Sequence, residues 1–331
     1  MKPVIVTCFP AEPRHLERIQ MVAGDAELWV ADDQSIRDLL PQATVLCGHI
    51  KTPVDWEATV NAGKLQWIQS TAAGIDHCLV PAVVNSPIVV SSASGVFADQ
   101  VAEQALALLL GLLRGLPRFF RAGLERQFRR LPTDDLHGKT VAILGFGGNG
   151  RRIAEVLKPF GCRLIATDCF PDAETSNDVS LFSANALHDV VADADIVILT
   201  LPLTTATYHL IDARCLNAMK RGAYVINVGR GATVDEQALT TCLQDGHLAG
   251  AGLDVFEHEP LSIDSPLWDL PNVIITPHVG AQAARRLDDV TQLFCRNLVR
   301  RQNGERLWNQ VDKQLGFPLP ADRLPTDWRI G

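Results

Sequence analysis

Hydrophobic and polar positions along the chain fall into two successive strand–helix rhythms. The clearer one starts at residue 140. There the short, β-branched runs "TVAIL", "RLIAT", "IVILTL", "AYVINV", "AGAGLDV" and "VIIT" predict strands. Between the earlier runs, "RRIAEVLKPF", "ALHDVVADA", "DARCLNAMK" and "DEQALTTCLQDG" suit crossover helices. Strands that are apolar throughout and alternate with helices predict a parallel sheet covered on both faces; six of them fit one doubly wound domain. Residues 1–97 show a second alternation, from "PVIVTC" through "ATVLCG" and "LQWIQS" to "PIVVSS", which predicts a smaller α/β domain. After "TPHVG" comes a long helical segment, "RRLDDVTQLFCRNLVRRQNG", and then a proline-rich tail with no rhythm of its own. The C-terminus is therefore expected to return to the first domain. That gives residues 1–97 plus 283–331 as one domain, with 98–282 inserted into it. Residues 99–114, "DQVAEQALALLLGLLR", are apolar nearly all round, so this helix must be buried. An interdomain core helix fits that pattern, and so does one that also packs in a homodimer.

Composition narrows the function class. At 331 residues, two domains are the better expectation. A formal charge of −8 argues against nucleic acid or an anionic membrane as a partner. The eight cysteines (Cys8, Cys47, Cys78, Cys162, Cys169, Cys215, Cys242 and Cys295) form no CxxC pair and no metal-ligand spacing. Free thiols in a reducing cytosol are expected, with no disulfide framework and no metal. The start, "MKPVIVTCFP", is too short in apolar residues for a signal peptide, and the longest apolar run, 105–113, is about half a bilayer span. A cytoplasmic chain without membrane contact is the expectation.

The candidate chemistry begins at "GFGGNG". A bare GxGxxG is common by chance, but Gly145, Gly147 and Gly150 follow a predicted strand and open a predicted helix. Gly145 would permit the tight turn, Gly147 the close approach of a pyrophosphate, and Gly150 the close packing of helix on strand. The helix start would offer free N–H groups to the phosphates. Asp168 lies eighteen residues after Gly150, where a carboxylate can accept from the adenosine ribose hydroxyls. From Asp168 to Leu187 there is no lysine or arginine, while Asp172, Glu174 and Asp178 add negative charge, so NAD is favoured over NADP. Arg151 and Arg152 could approach a 2′-phosphate, although at a helix start solvation is the plainer expectation.

Further along, Arg230 follows one predicted strand, Asp254 ends another with Glu259 five residues on, and His278 lies beyond the last. Ligands of open parallel sheets bind outside the carboxyl ends of the strands, so these loops should converge on one crevice. An arginine there can grip a carboxylate bidentately. An imidazole can exchange a proton with a carbonyl or hydroxyl oxygen as hydride moves, and a neighbouring carboxylate would raise its pKa and fix its tautomer.

In order, "LGFGGNGRR", "ATD", "LPLTTATYHLI", "INVGRGATVDEQAL", "GAGLDVFEHEPL" and "ITPHVG" resemble the D-isomer-specific 2-hydroxyacid dehydrogenase family, most densely over 137–281. The resemblance implies two Rossmann-like domains with doubly wound parallel sheets, the dinucleotide-binding domain inserted into a flavodoxin-like substrate domain. It implies a cleft between domains, NAD as cofactor, a small 2-oxo acid interconverted with its D-2-hydroxy acid, and a homodimer. By it, Arg230 binds the substrate carboxylate, His278 is the acid/base, Glu259 pairs with His278, and Glu257 and His258 are bystanders. Backbone N–H groups of Ala73, Gly74 and Ile75 in "TAAGIDH" help hold the carboxylate. Asp254 faces the nicotinamide carboxamide. Cofactor contacts carry over to Gly145, Gly147, Gly148, Asn149, Gly150, Asp168, Leu201, Pro202, Val228, Gly229 and Gly280, beside Arg230, Asp254 and His278. Asn149 departs from the family, which usually has an aliphatic residue there; Asn can cap a helix but brings an amide near the pyrophosphate. His49, Ile50 and Lys51 are candidates for the substrate side of the cleft. A formate dehydrogenase of this fold would show Gln–His in place of Glu–His, and residues 279–331 leave no room for a regulatory domain. A short phosphoglycerate-type enzyme stays open. So does an NAD(H)-sensing interaction protein of the corepressor type, which keeps the same fold and the Arg–Glu–His set.

Overall fold

The computed structural model describes residues 2–171, 178–325, 327 and 328. The chain divides into two compact units, Met1–Phe97 with Ala283–Gly331, and Ala98–Gln282.

The first unit is built on a five-stranded parallel sheet. Its strands are β1 (Val4–Cys8), β2 (Glu27–Val30), β3 (Val45–Gly48), β4 (Trp67–Ser70) and β5 (Val89–Ser91), in the order β2-β1-β3-β4-β5. That is a flavodoxin-like order. Four strands coincide with the predicted runs; β2 does not. It lies at the sheet edge, where Glu27 and Val30 are exposed, so it has no continuous apolar run to read.

A buried polar network draws the C-terminal part of the chain onto this sheet. The Trp67 indole N–H donates to Ser91 Oγ (2.8 Å), which donates to Gln69 Oε1 (2.8 Å). Asn297, on the helix Arg286–Gln302, donates to the same Gln69 Oε1 (2.9 Å) and to the Trp308 carbonyl (3.0 Å). Every member is thereby satisfied, which is the condition for a polar group to be kept in a core.

The second unit has seven parallel strands. They are β6 (Thr140–Leu144), β7 (Arg163–Asp168), β8 (Val179–Ser183), β9 (Ile196–Leu199), β10 (Tyr224–Asn227), β11 (Gly250–Leu253) and β12 (Val273–Ile275). The order β12-β11-β10-β9-β6-β7-β8 reverses between β6 and β9. The sequence expectation of six strands misses β8, again an edge strand with a mostly exposed face. The tail adds a short antiparallel ribbon to the first unit, β13 (Val311–Asp312) with β14 (Phe317–Pro318), next to β5.

The helix Ala98–Leu113 lies on β10, β11 and β12 of its own unit. Small residues in β11 admit it closely: a Cβ at Gly252 would stand 2.8 Å from the Leu108 Cβ. Two of the crossover helices start where aspartates place a carboxylate on their free N–H groups, Asp212 on Cys215 (2.8 Å) and Asp235 on Ala238 (2.9 Å).

Candidate active site

The turn between β6 and the helix Gly148–Leu157 lies at the reversal of strand order, where crevices form in such sheets. Its three glycines are needed for three different reasons. Gly145 has φ +92°, a backbone that side chains rarely adopt. A Cβ at Gly150 would lie 2.2 Å from the Gly145 carbonyl oxygen, so only glycine lets the helix start this close to the strand. At Gly147 a Cβ would meet no protein atom within 4 Å, so the space in front of the turn is open. The N–H groups of Gly148, Asn149 and Gly150 have no acceptor among the described residues. Open space faced by unpaired N–H groups at a helix start suits a pyrophosphate.

Asn149 does not cap this helix. The N-cap is Gly147, the helix begins at Gly148, and the Asn149 side chain makes no hydrogen bond to any described residue. The expected capping role fails because the helix starts two residues earlier than Asn149 would need.

Asp168 ends β7 beside the turn. Its two oxygens accept from the N–H groups of Phe146 and Phe170, each at 2.9 Å, so the carboxylate is fixed in direction. Arg152 is not simply solvated: it is paired with Asp99 (2.8 Å) and Glu155 (2.6 Å), which turns it to its own helix and the neighbouring one. Of the acidic residues in the cofactor argument, Asp178 is paired with Lys158 at 2.5 Å, and Asp172 and Glu174 lie outside the described residues. The sequence interval held no cation, yet Lys158 reaches this stretch from outside it.

Leu201 and Pro202 follow β9, and Val228, Gly229 and Arg230 follow β10. These two loops touch through backbone: a Cβ at Gly229 would lie 2.9 Å from the Leu201 carbonyl. Two residues absent from the sequence expectations hold the Arg230 turn. Asn227 Oδ1 accepts from Gly229 N–H (3.0 Å), its Nδ2 donates to the Arg230 carbonyl (3.1 Å), and Thr233 Oγ1 donates to the same carbonyl (2.6 Å). Both side chains are buried. Gly231 is pressed against the Phe256 backbone, with no room for a Cβ. The loops of Arg230 and Glu259 are thus in direct contact.

His278 follows β12 in the left-handed region, φ +54°. Asp254 fixes that turn: its carboxylate, 2 % exposed, accepts from Thr276 Oγ1 (2.5 Å), Val279 N–H (2.9 Å) and Gly280 N–H (2.8 Å). The Asp254 carbonyl accepts from the His278 N–H at 2.8 Å. His278 Nδ1 meets Glu259 Oε2 at 2.8 Å, leaving Nε2 with no hydrogen bond among the described residues. Glu259 Oε1 accepts from the Phe256 N–H at 3.1 Å. Burial works to raise the Glu259 carboxyl, but hydrogen bonds from His278 and the Phe256 N–H, with the charges of His278 and Arg230, outweigh it and hold it below its ordinary value. The result is an oriented imidazole backed by an ionised carboxylate.

Ala73, Gly74 and Ile75 lie in the first unit, in the loop after β4, with Ile75 buried and the other two half-buried. In that unit His49, after β3, stacks its ring on His77 at 4.1 Å; Ile50 is buried and Lys51 exposed.

A doubly wound sheet whose strand ends carry a phosphate-type glycine turn, an arginine and a Glu–His pair fits an NAD(P)-dependent oxidoreductase. Residues 106–280 match the family model "D-isomer specific 2-hydroxyacid dehydrogenase, NAD binding domain". The chain is 32 % identical to a glyoxylate reductase of Pyrococcus horikoshii, over 85 % of this chain and 87 % of the relative. It superposes with TM-score 0.79 on a D-isomer specific 2-hydroxyacid dehydrogenase of Xanthobacter autotrophicus Py2 solved with NADPH and MES (28 % identity, 96 % and 100 % of the two chains). An NADPH-dependent glyoxylate/hydroxypyruvate reductase of Sinorhizobium meliloti solved with NADP and sulfate gives TM-score 0.80 at 27 % identity, covering 96 % and 100 %. The chain belongs to the D-isomer-specific 2-hydroxyacid dehydrogenase family, as the motif order implied. Among the described residues no helix is long and apolar enough to cross a membrane.

Proposed function

We propose that the protein is an NADH-dependent reductase that interconverts a small 2-oxo acid and its D-2-hydroxy acid, and that it works in the cytoplasm. The observation that carries this reading is the Glu259–His278 bond at 2.8 Å, on strand ends that adjoin the Arg230 turn. Arg230 grips the substrate carboxylate, with backbone N–H groups of Ala73, Gly74 and Ile75 assigned to the same carboxylate. His278 Nε2 gives its proton to the carbonyl oxygen in reduction and takes it back from the hydroxyl in oxidation, while Glu259 holds Nδ1. Bound NADH supplies the hydride, so that oxo acid, NADH and one proton give hydroxy acid and NAD. The N–H groups of Gly148, Asn149 and Gly150 hold the pyrophosphate, and Asp168 takes the adenosine ribose hydroxyls. Leu201, Pro202, Val228, Gly229, Asp254 and Gly280 are assigned the remaining cofactor contacts. Relatives bound to NADP show that the fold also serves the phosphorylated cofactor, so the NADH preference rests on the fixed Asp168 carboxylate.

We also assign the active form as a homodimer. Leu116, Phe120 and Leu124, spaced four apart on the helix Leu116–Leu124, expose one apolar face, and Phe128, past the helix end, is exposed as well.

The test is an NADH-oxidation screen over glyoxylate, hydroxypyruvate, pyruvate and phenylpyruvate, repeated with NADPH. His278→Ala should lower kcat by about 10²–10⁴ while NADH still binds. Arg230→Ala should chiefly raise KM for the oxo acid. Tight NADH binding without turnover of any 2-oxo acid would replace this reading with the NAD(H)-sensing one. Equal use of NADPH would overturn the cofactor assignment.

A further inference from the structure

The spacing of "DVFEHEP" treats Glu257 and His258 alike, but the structure separates them. His258 is exposed and makes no hydrogen bond among the described residues. Glu257 is half-buried and tied twice. Its N–H donates to Glu236 Oε2 (3.1 Å), at the first turn of the helix Glu236–Gln244. Its Oε1 meets His209 Nε2 at 2.8 Å, a second Glu–His pair beside Glu259–His278.

His209 is itself held from several sides. Its N–H donates to the Ala232 carbonyl (2.9 Å), in the turn that follows Arg230. Its ring stacks on Tyr208 at 4.1 Å, and its backbone sits in the left-handed region at φ +47°. Histidine occupies that region only at some cost, so the surrounding contacts must impose it.

These ties matter because of where they fall. Between Asp254 and Ser262, the hydrogen bonds from this loop to other elements are the two made by Glu257 and the Glu259–His278 bond itself, among the described residues. Glu259 hangs from the same loop: Oε1 takes the N–H of Phe256, the residue before Glu257, and Oε2 reaches His278. Its side chain is 38 % exposed, so packing alone does not hold it.

We propose that the Glu257–His209 pair is a positioning clamp, which sets the loop so that Glu259 meets His278. Neither residue touches the reacting atoms. The inference rests on the acid/base reading above and extends it to two residues outside the Arg–Glu–His set.

The experiment is a double-mutant cycle on kcat for oxo-acid reduction. Glu257→Ala should lower kcat about tenfold, with KM for the oxo acid and Kd for NADH within about twofold of wild type. Glu257→Gln should recover most of the loss, because its amide oxygen can accept from the imidazole N–H. In a Glu259→Gln background, Glu257→Ala should change kcat by less than about twofold, since the clamp then has nothing to place. A wild-type kcat in Glu257→Ala overturns the clamp, as does an undiminished loss in the Glu259→Gln background. If Glu259→Gln alone leaves kcat unchanged, the acid/base reading fails and the clamp falls with it.

Discussion

Gly147 and Gly150 share a hexapeptide but resist substitution for opposite reasons. A Cβ at Gly150 would collide with a backbone oxygen at 2.2 Å, which no side-chain rotation relieves. A Cβ at Gly147, where φ is −77° and ψ −160°, would meet only open space. Gly150→Ala should therefore destabilise the fold by about 1–3 kcal/mol, the range of overpacked cores, and lower the melting temperature by roughly 2–10 °C. Gly147→Ala should leave the melting temperature unchanged and raise the NADH dissociation constant by about tenfold or more, because its methyl enters the space assigned to the pyrophosphate. Calorimetry and NADH titration of the two variants read both effects; wild-type affinity in Gly147→Ala would mean that the turn cradles no phosphate. These glycine roles could be read from spacing, since strand, turn and helix fix what each must do. Asn227, Thr233 and the three bonds of Asp254 could not. Each acts by bonding to nearby backbone, and such contacts leave no period in the sequence.

At the scale of elements, the strands that reading the sequence finds are those with an unbroken run of apolar side chains. β6, β7 and β9 to β12 have one, as does the edge strand β5, whereas β2 and β8 break theirs with exposed positions and look like loops. The same physics leaves one helix with an unspent apolar face. The helix Ala98–Leu113 buries eight of its sixteen residues, much of that against its own sheet, so the apolar surface left for a partner is more prominent on the next helix. There Phe120 is 69 % exposed and Leu124 86 %, with Phe128 at 93 % just beyond. A contiguous stripe of large apolar side chains is uncommon on a monomer and self-complementary on a two-fold dimer. Phe120→Asp with Leu124→Asp should convert a dimer to a monomer in sedimentation velocity with the fold intact by circular dichroism. Wild-type protein that sediments as a monomer at micromolar concentration would remove the dimer assignment.

For the whole molecule, low pH is the condition that tests the carboxyls whose pKa folding lowers, since they must then be protonated. Glu259 and Asp195 are among the carboxyls that the folded chain holds below their ordinary value. Glu259 is held low as described above. Asp195 sits between β6 and β9: burial works to raise its carboxyl, but the Thr140 N–H (2.8 Å), Lys220 (2.9 Å) and the charge of Lys139 together bring it below its ordinary 3.8. A carboxyl lowered on folding adds stability in full above its unfolded pKa, and that contribution is lost as pH falls through the folded value. The loss from Asp195 should therefore begin near pH 3.8 and continue below it, not in the neutral range. Asp195→Asn keeps an acceptor for Thr140 but offers Lys220 no charge. The variant should melt lower than wild type at pH 7, and its melting temperature should fall less between pH 4.5 and pH 3 (roughly the span in which such a carboxyl protonates). Parallel melting curves for the two proteins across that span would show that this carboxylate does not couple folding to protons.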